Sequence, residues 1–143
     1  MSAVALSNFL QAQWVLTSPL AAAIDWPTDR TTTATWANSA SPNNVIVACF
    51  EVGGSSGRSS ESSVVTDEIV EVKVMVRGQA NLSANQALRN TVFVAVRAIL
   101  ATNFSSLING NLKISALRLS GAFDVSQYSS RDVIVTLQYP EGT

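Results

Sequence analysis

The chain has 143 residues, of which 47% are hydrophobic and only 13% charged, with a formal net charge of −1. That length suits one domain over 1–143 whose core stands without disulfides or metal. The charge balance excludes a general nucleic-acid surface, which needs clustered Lys and Arg, because the nine basic residues are scattered.

In chain order, residues 3–16 read as the first helix. Val4, Leu6, Leu10 and Trp14 share a stripe, with Ala5 and Phe9 at its edges. Pro19 ends that pattern, and residues 19–24 read as a second short turn with Ser18 as N-cap. Trp26-Pro27 forces extended backbone before the proline. Residues 28–44, rich in Thr, Ser, Ala and Asn, read as a surface excursion with a weak strand over 31–36. Residues 45–52 form the first clear strand, almost continuously apolar, which implies burial on both faces or in a subunit contact.

Residues 53–63, GGSSGRSSESS, read as a flexible polar loop at the tip of a long hairpin. The return strand covers 64–77. There Val70, Val72, Val74 and Val76 fall on one face and Glu71, Lys73 and Arg77 on the other, with Ile69 and Met75 between them. Gly78 ends it. Ser83 reads as the N-cap of a helix over 84–102, whose core stripe is Leu88, Val92, Ala95, Val96 and Ile99. Phe93, Val94 and Leu100 lie off that stripe, near Asn90 and Arg97. Asn109-Gly110-Asn111 signals a turn, followed by strands over 112–119 and 132–139 and a polar connection over 120–131. The fold class expected is α+β: an antiparallel sheet of four or more strands, with a long helix packed on one face and an N-terminal helix.

Chemistry finds little to use. There is no histidine, which removes the commonest general base and the commonest metal ligand. Cys49 lies in a predicted strand and reads as a small buried hydrophobe. Residues 52–59 imitate a phosphate-binding loop, but Val52 stands where the first Gly belongs and Arg58 replaces the Lys. A strand also follows, where that motif needs a helix. Asp67 and Glu68 are strand neighbours that face opposite ways. Glu71 and Lys73 share a face and read as a solvated or intersubunit charge pair. No catalytic residue, cofactor or metal site is assigned. The N-terminus lacks the basic region of a signal peptide, and no stretch approaches the ~18 apolar residues of a membrane span. The chain reads as an intracellular or particle-borne soluble protein.

Low charge combined with surplus apolar residues on the long helix points to assembly. Arg89, Phe93 and Arg97 recur at i, i+4 and i+8, which predicts a contact stripe for another copy, with Val92 in the core and Phe93 in the interface. Trp36, in a polar stretch, is expected as a further interface anchor. Arg58, Glu71 and Lys73 complete the expected interface set.

The layout carries a resemblance. A helix of the "ALSNFLQAQW…SPLAAAI" kind precedes a Trp-Pro turn, and the strand "NNVIVACFEVGG" leads into the polar segment. "EIVEVKVMVRGQANLSANQALRNTVFVAVRAIL" runs from strand to helix, and "FDVSQYSSRDVIVTLQYPEG" closes the chain. This order resembles the tail-terminator and neck proteins of tailed bacteriophages. The resemblance implies a non-enzymatic α+β domain forming a ring, commonly a hexamer, that caps the tail tube where it meets the head. Its partners would be further copies and other neck and tail-tube proteins. No membrane, cofactor or sequence-specific nucleic acid is expected, and the location would be the virion, with the host cytoplasm during assembly. The alternatives are another virion building block, such as a tail-tube or capsid-associated protein, and, from a different class, a small-ligand-binding domain or an enzyme.

Overall fold

The structure is a computed structural model that describes residues 2–17, 24–60, 63–109, 112–125 and 127–139, with the side chains of 15–17, 54–60, 63–66 and 109 left out of the description. Its elements in chain order are α1 (Ser2–Thr17), β1 (Ile24–Asp25), α2 (Arg30–Thr35) with a 3-10 turn (Trp36–Asn38), β2 (Val45–Ser60), β3 (Ser63–Arg77), α3 (Leu82–Thr102), β4 (Leu107–Asn109), β5 (Leu112–Val125) and β6 (Tyr128–Gln138). The mixed α/β class is as expected. Six strands form one curled sheet in the order β1-β2-β3-β6-β5-β4. Every pairing is antiparallel except the two-residue β1, which runs parallel to β2 at Val45 and Ile46.

Period 2 builds the sheet centre. Val70, Val72, Val74 and Val76 of β3 are completely buried, as are Val47 and Cys49 of β2 and Val135 and Leu137 of β6. The same apolar cluster contains Ala3, Leu6, Leu10 and Trp14 of α1, at helical spacing, and Val92, Phe93, Val96, Ile99 and Leu100 of α3. Each large side chain fully buried in this way stabilises by ~1.5–3 kcal/mol. Trp14 meets Trp26 edge to face at 5.9 Å and 76°.

Four expectations change. The segment 53–63 is not a loop along its length: β2 runs to Ser60, β3 begins at Ser63, and their ladder passes through Gly53, Gly54, Ser55, Ser56, Gly57 and Arg58. Residues 61–62 lie outside the described set. The connection 120–131 behaves likewise, because β5 runs to Val125 and β6 starts at Tyr128. Backbone pairing satisfies peptide groups whatever the side chains are, so Gly- and Ser-rich ribbons escape a reading based on apolar pattern. Residues 30–35 form a helix and not a weak strand. Asp29 decides this, because its carboxylate accepts the Thr32 backbone N–H at 2.6 Å. The cap of α3 is Asn81, accepting the Ala84 N–H at 2.9 Å, and not Ser83. The expected turn at 19–24 falls mostly outside the described residues, as does the tip of Asn109-Gly110-Asn111.

Candidate functional site

The buried face of the long helix keeps Val92, Val96 and Ile99 of its apolar stripe, with Leu88 and Ala95 at its edge, but extends to residues expected outside it. Its buried residues are Asn85, Arg89, Val92, Phe93, Val96, Ile99 and Leu100. Phe93 is 1% exposed and sits in the main core, which corrects its assignment to an interface. Two buried polar residues hid this face from the wheel. Asn85 Oδ1 accepts the Gln79 backbone N–H at 3.2 Å. Arg89 donates through Nη1 to Asp124 Oδ1 at 3.1 Å and Ser129 Oγ at 2.9 Å, and through Nη2 to Asn90 Oδ1 at 2.7 Å. With both Nη atoms bonded inward, and its buried Nε without a partner among the described residues, Arg89 packs as core and is not a surface contact residue either. The Arg131 guanidinium lies 4.4 Å over the Phe93 ring. Of the expected stripe only Arg97 is exposed. The Ser129 hydroxyl also donates to Asp124. That bond, against the upward push of partial burial, and with Gln86 and Arg89 helping, holds the Asp124 carboxyl below the usual carboxylate range.

Trp36 is likewise interior, at 3% exposure, in a second cluster with Ile46, Ala48, Phe50 and Met75 on the other side of the sheet. Its indole N–H donates to Asp25 Oδ2 at 2.8 Å, and the Arg77 guanidinium stacks 4.0 Å from its ring. Arg77 also donates to the Trp36 carbonyl, and to those of Ser41 at 2.9 Å and Asn43 at 3.1 Å. One cation thus fastens the whole 36–43 excursion to the end of β3. Burial pushes the Asp25 carboxyl up. Hydrogen bonds from Ser41, Trp36 and Asn43 and the charge of Arg77 outweigh that and hold it low. Sequence reading placed Arg77 on the polar face but missed its partner Asp25, which no local spacing links to it.

Glu71 and Lys73 do pair, and a third residue joins them. Lys73 Nζ lies 3.7 Å from Glu71 Oε2 and 3.5 Å from Asp132 Oδ2, directly across the β3–β6 ladder. One ammonium faces two carboxyl groups. Asp132 Oδ1 is buried and accepts no hydrogen bond from any of the usual donors. Burial first, then the neighbouring Asp132, pushes the Glu71 carboxyl up to about 7. When protonated, Glu71 can donate to the neighbouring Asp132 carboxylate, which is part of what raises it. The side chain of Arg58 lies outside the description, while its backbone pairs with Val64. Cys49 is completely buried and burial pushes its thiol up to about 12, which makes it a poor nucleophile. Among the described residues, no group of three or more acidic, Cys or His side chains is placed to hold a metal ion, and no helix is long and apolar enough to cross a membrane.

Among the described residues, large apolar side chains stay exposed at several places. One is a groove of about 600 Å³ lined by Gln13, Asn90, Val94, Ala95, Ala98 and Ile99, with Val94 61% exposed. Others are Leu119 and Phe123 of β5, 40% and 58% exposed and on opposite faces of the sheet because they pair with Val133 and Ser130, and Phe104 and Leu107, 45% and 58% exposed. No protein-family model matches the chain, and no curated protein matches it.

Proposed function

We propose that this chain is a non-catalytic structural subunit that assembles head to tail into a closed ring. The setting the sequence resemblance implies is the neck of a tailed-phage particle, where such a ring would terminate the tail tube and join it to the head. In this reading α3 packs on one face of the sheet and its outer flank, around Val94, is left for a neighbour. The observation that carries the reading is that large apolar side chains stay exposed at dissimilar places, Val94 on α3, Val52 on β2, and Leu119 and Phe123 on β5. Unlike patches that meet one another make heterologous contacts, and these close into rings when the rotation permits. Large exposed apolar patches mark interaction surfaces in soluble chains. Phe93 and Arg89 are interior and lend this reading no support.

Sedimentation and native mass measurement at micromolar concentration, with negative-stain images of the purified protein, test this. A closed ring of defined copy number is expected. A monomer at every concentration, both alone and with purified tail tubes, would remove the reading. The groove favours a second reading as a small-ligand-binding domain, since its volume falls in the range of ligand sites. A monomer that binds an apolar dye such as ANS at the groove, with binding abolished by Val94→Asp, would favour that alternative.

A further inference from the structure

The two rims of the sheet are open along most of their length. Among the described residues, β2 has no strand on its outer side beyond Ile46, because β1 pairs only at Val45 and Ile46. Past that point the Cys49 N–H bonds to the Pro27 carbonyl, and residues 51–60 pair inward to β3 alone. On the opposite rim, β4 pairs only at Leu112 and Lys113 of β5, and the Ser105 N–H takes the Ile114 carbonyl. Residues 116–125 then pair inward to β6 alone. Each rim therefore presents a row of backbone donors and acceptors with no strand beside it, which is a template for another strand.

Natural sheets protect such rims with Lys, Pro, short strands or bulges. Neither 51–60 nor 116–125 contains Lys or Pro. The β2 rim has two register shifts, at Glu51/Gly53 and Arg58/Ser60, and the β5 rim one, at Leu119/Ala122, yet the register stays regular over 53–58 on one rim and over 116–119 and 122–125 on the other. Each rim carries one acid and one base, Glu51 with Arg58 and Arg118 with Asp124, so neither repels the other through net charge. Each also exposes large apolar side chains, Val52 on β2 and Leu119 and Phe123 on β5.

We propose that copies of this chain join through their sheets, the outer edge of β5 in one copy pairing with the outer edge of β2 in the next. The partner surface is thus a second copy, and the sheet continues across the boundary. The proposal deepens the ring reading and rests on it. Backbone hydrogen bonds supply the attachment, and Val52, Leu119 and Phe123 lose water where the edges meet. Because the two edges differ, no copy satisfies itself, and the contacts propagate from copy to copy, closing into a ring when the rotation permits.

Two lysine variants test it. Val52→Lys with Gly53→Lys blocks the β2 edge, and Leu119→Lys with Gly121→Lys blocks the β5 edge. A Cβ at Gly53 or Gly121 meets no atom within 4 Å, so the fold accepts both. Each variant alone is expected to self-associate about 30-fold or more weakly than the parent, the loss of one anchoring contact. Mixed together they should form a one-to-one dimer, because one intact β5 edge meets one intact β2 edge. In the parent protein, hydrogen exchange of 53–58 and 116–125 should slow on assembly. Rings that form equally well in both variants, or without protection at these segments, would overturn edge pairing and leave the ring reading standing. Homodimers of the β2-blocked variant would show that β5 pairs with itself, which also overturns it. A parent protein that never assembles defeats the ring reading itself.

Discussion

The two buried clusters on either side of this sheet are held by different forces. The main core, from Leu6 to Leu137, consists of apolar side chains removed from water. The cluster around Trp36 is small, and its covering segment is fastened by Arg77, Asp25 and a set of carbonyls. Non-directional burial tolerates adjustment. A guanidinium serving several fixed carbonyls does not. The first cluster therefore depends on volume and the second on geometry.

The sharpest way to break that contrast is Phe93→Ala. It removes a fully buried ring and should lower stability by ~3–5 kcal/mol in a denaturant titration. Val94→Ala, one residue along and 61% exposed, should change it by less than ~0.5 kcal/mol. Equal losses at both positions would mean that the helix is rotated from the arrangement described. Arg77→Met comes next. It keeps the apolar stem but strips the donors from the Trp36, Ser41 and Asn43 carbonyls, at a cost of ~2–3 kcal/mol. Arg77→Lys should recover little, since an ammonium lacks the planar fork. Full recovery by Lys would show that charge alone matters there.

The same contrast explains what the sequence made legible. The valines of β3 and the alternation of β6 announced their strands because each commits one face to the core. The outer halves of both hairpins carry no such signal, since Gly53–Arg58 and Ala122–Val125 pair through backbone groups that side-chain pattern does not report. The pattern of α3 locates Val92, Val96 and Ile99 in the core but not Phe93, because Asn85 and Arg89 on the same buried face are polar. Their partners, Gln79, Asp124 and Ser129, lie in other elements. Trp36 was misplaced for a related reason: Asp25 and Arg77 reach it from 11 and 41 positions away. Only the Asp29 cap of α2 offered a local signal that the Thr-rich pattern overrode.

A smaller effect sharpens the second cluster's dependence on backbone geometry. Gly78 has φ +73°, and a Cβ there would lie 2.7 Å from Asn44 Oδ1. The Asn44 carbonyl accepts the Arg77 N–H at 3.0 Å, so this left-handed turn sets the position of Arg77. Gly78→Ala should lower stability by ~1–2 kcal/mol, chiefly through the unfavourable φ. Gly53→Ala, in open space, should be close to neutral, and calorimetry of the two variants side by side decides.

The smallest expected effect concerns Glu71, between the second cluster and the open sheet face. Its carboxyl stands at about 7 in the fold against an ordinary value of 4.5, so the native state holds its proton where the unfolded chain releases it. The resulting stabilisation is fully present below about 4.5 and is lost as pH rises through about 7. Asp25, Asp29 and Asp124 are shifted down, so their contribution is lost only in stronger acid, beneath the window in question. Between pH 5 and 8, Glu71 is therefore expected to dominate the slope. Lys73 and solvent screen the ionised form, which limits the change to ~1 kcal/mol or less. Glu71→Gln keeps a donor facing Asp132 Oδ1 but cannot titrate, so its melting temperature should stay level from pH 5 to 8 while the parent's declines. The same decline in both proteins would mean that Glu71 is ionised throughout, and that the buried oxygen of Asp132 finds its donor elsewhere.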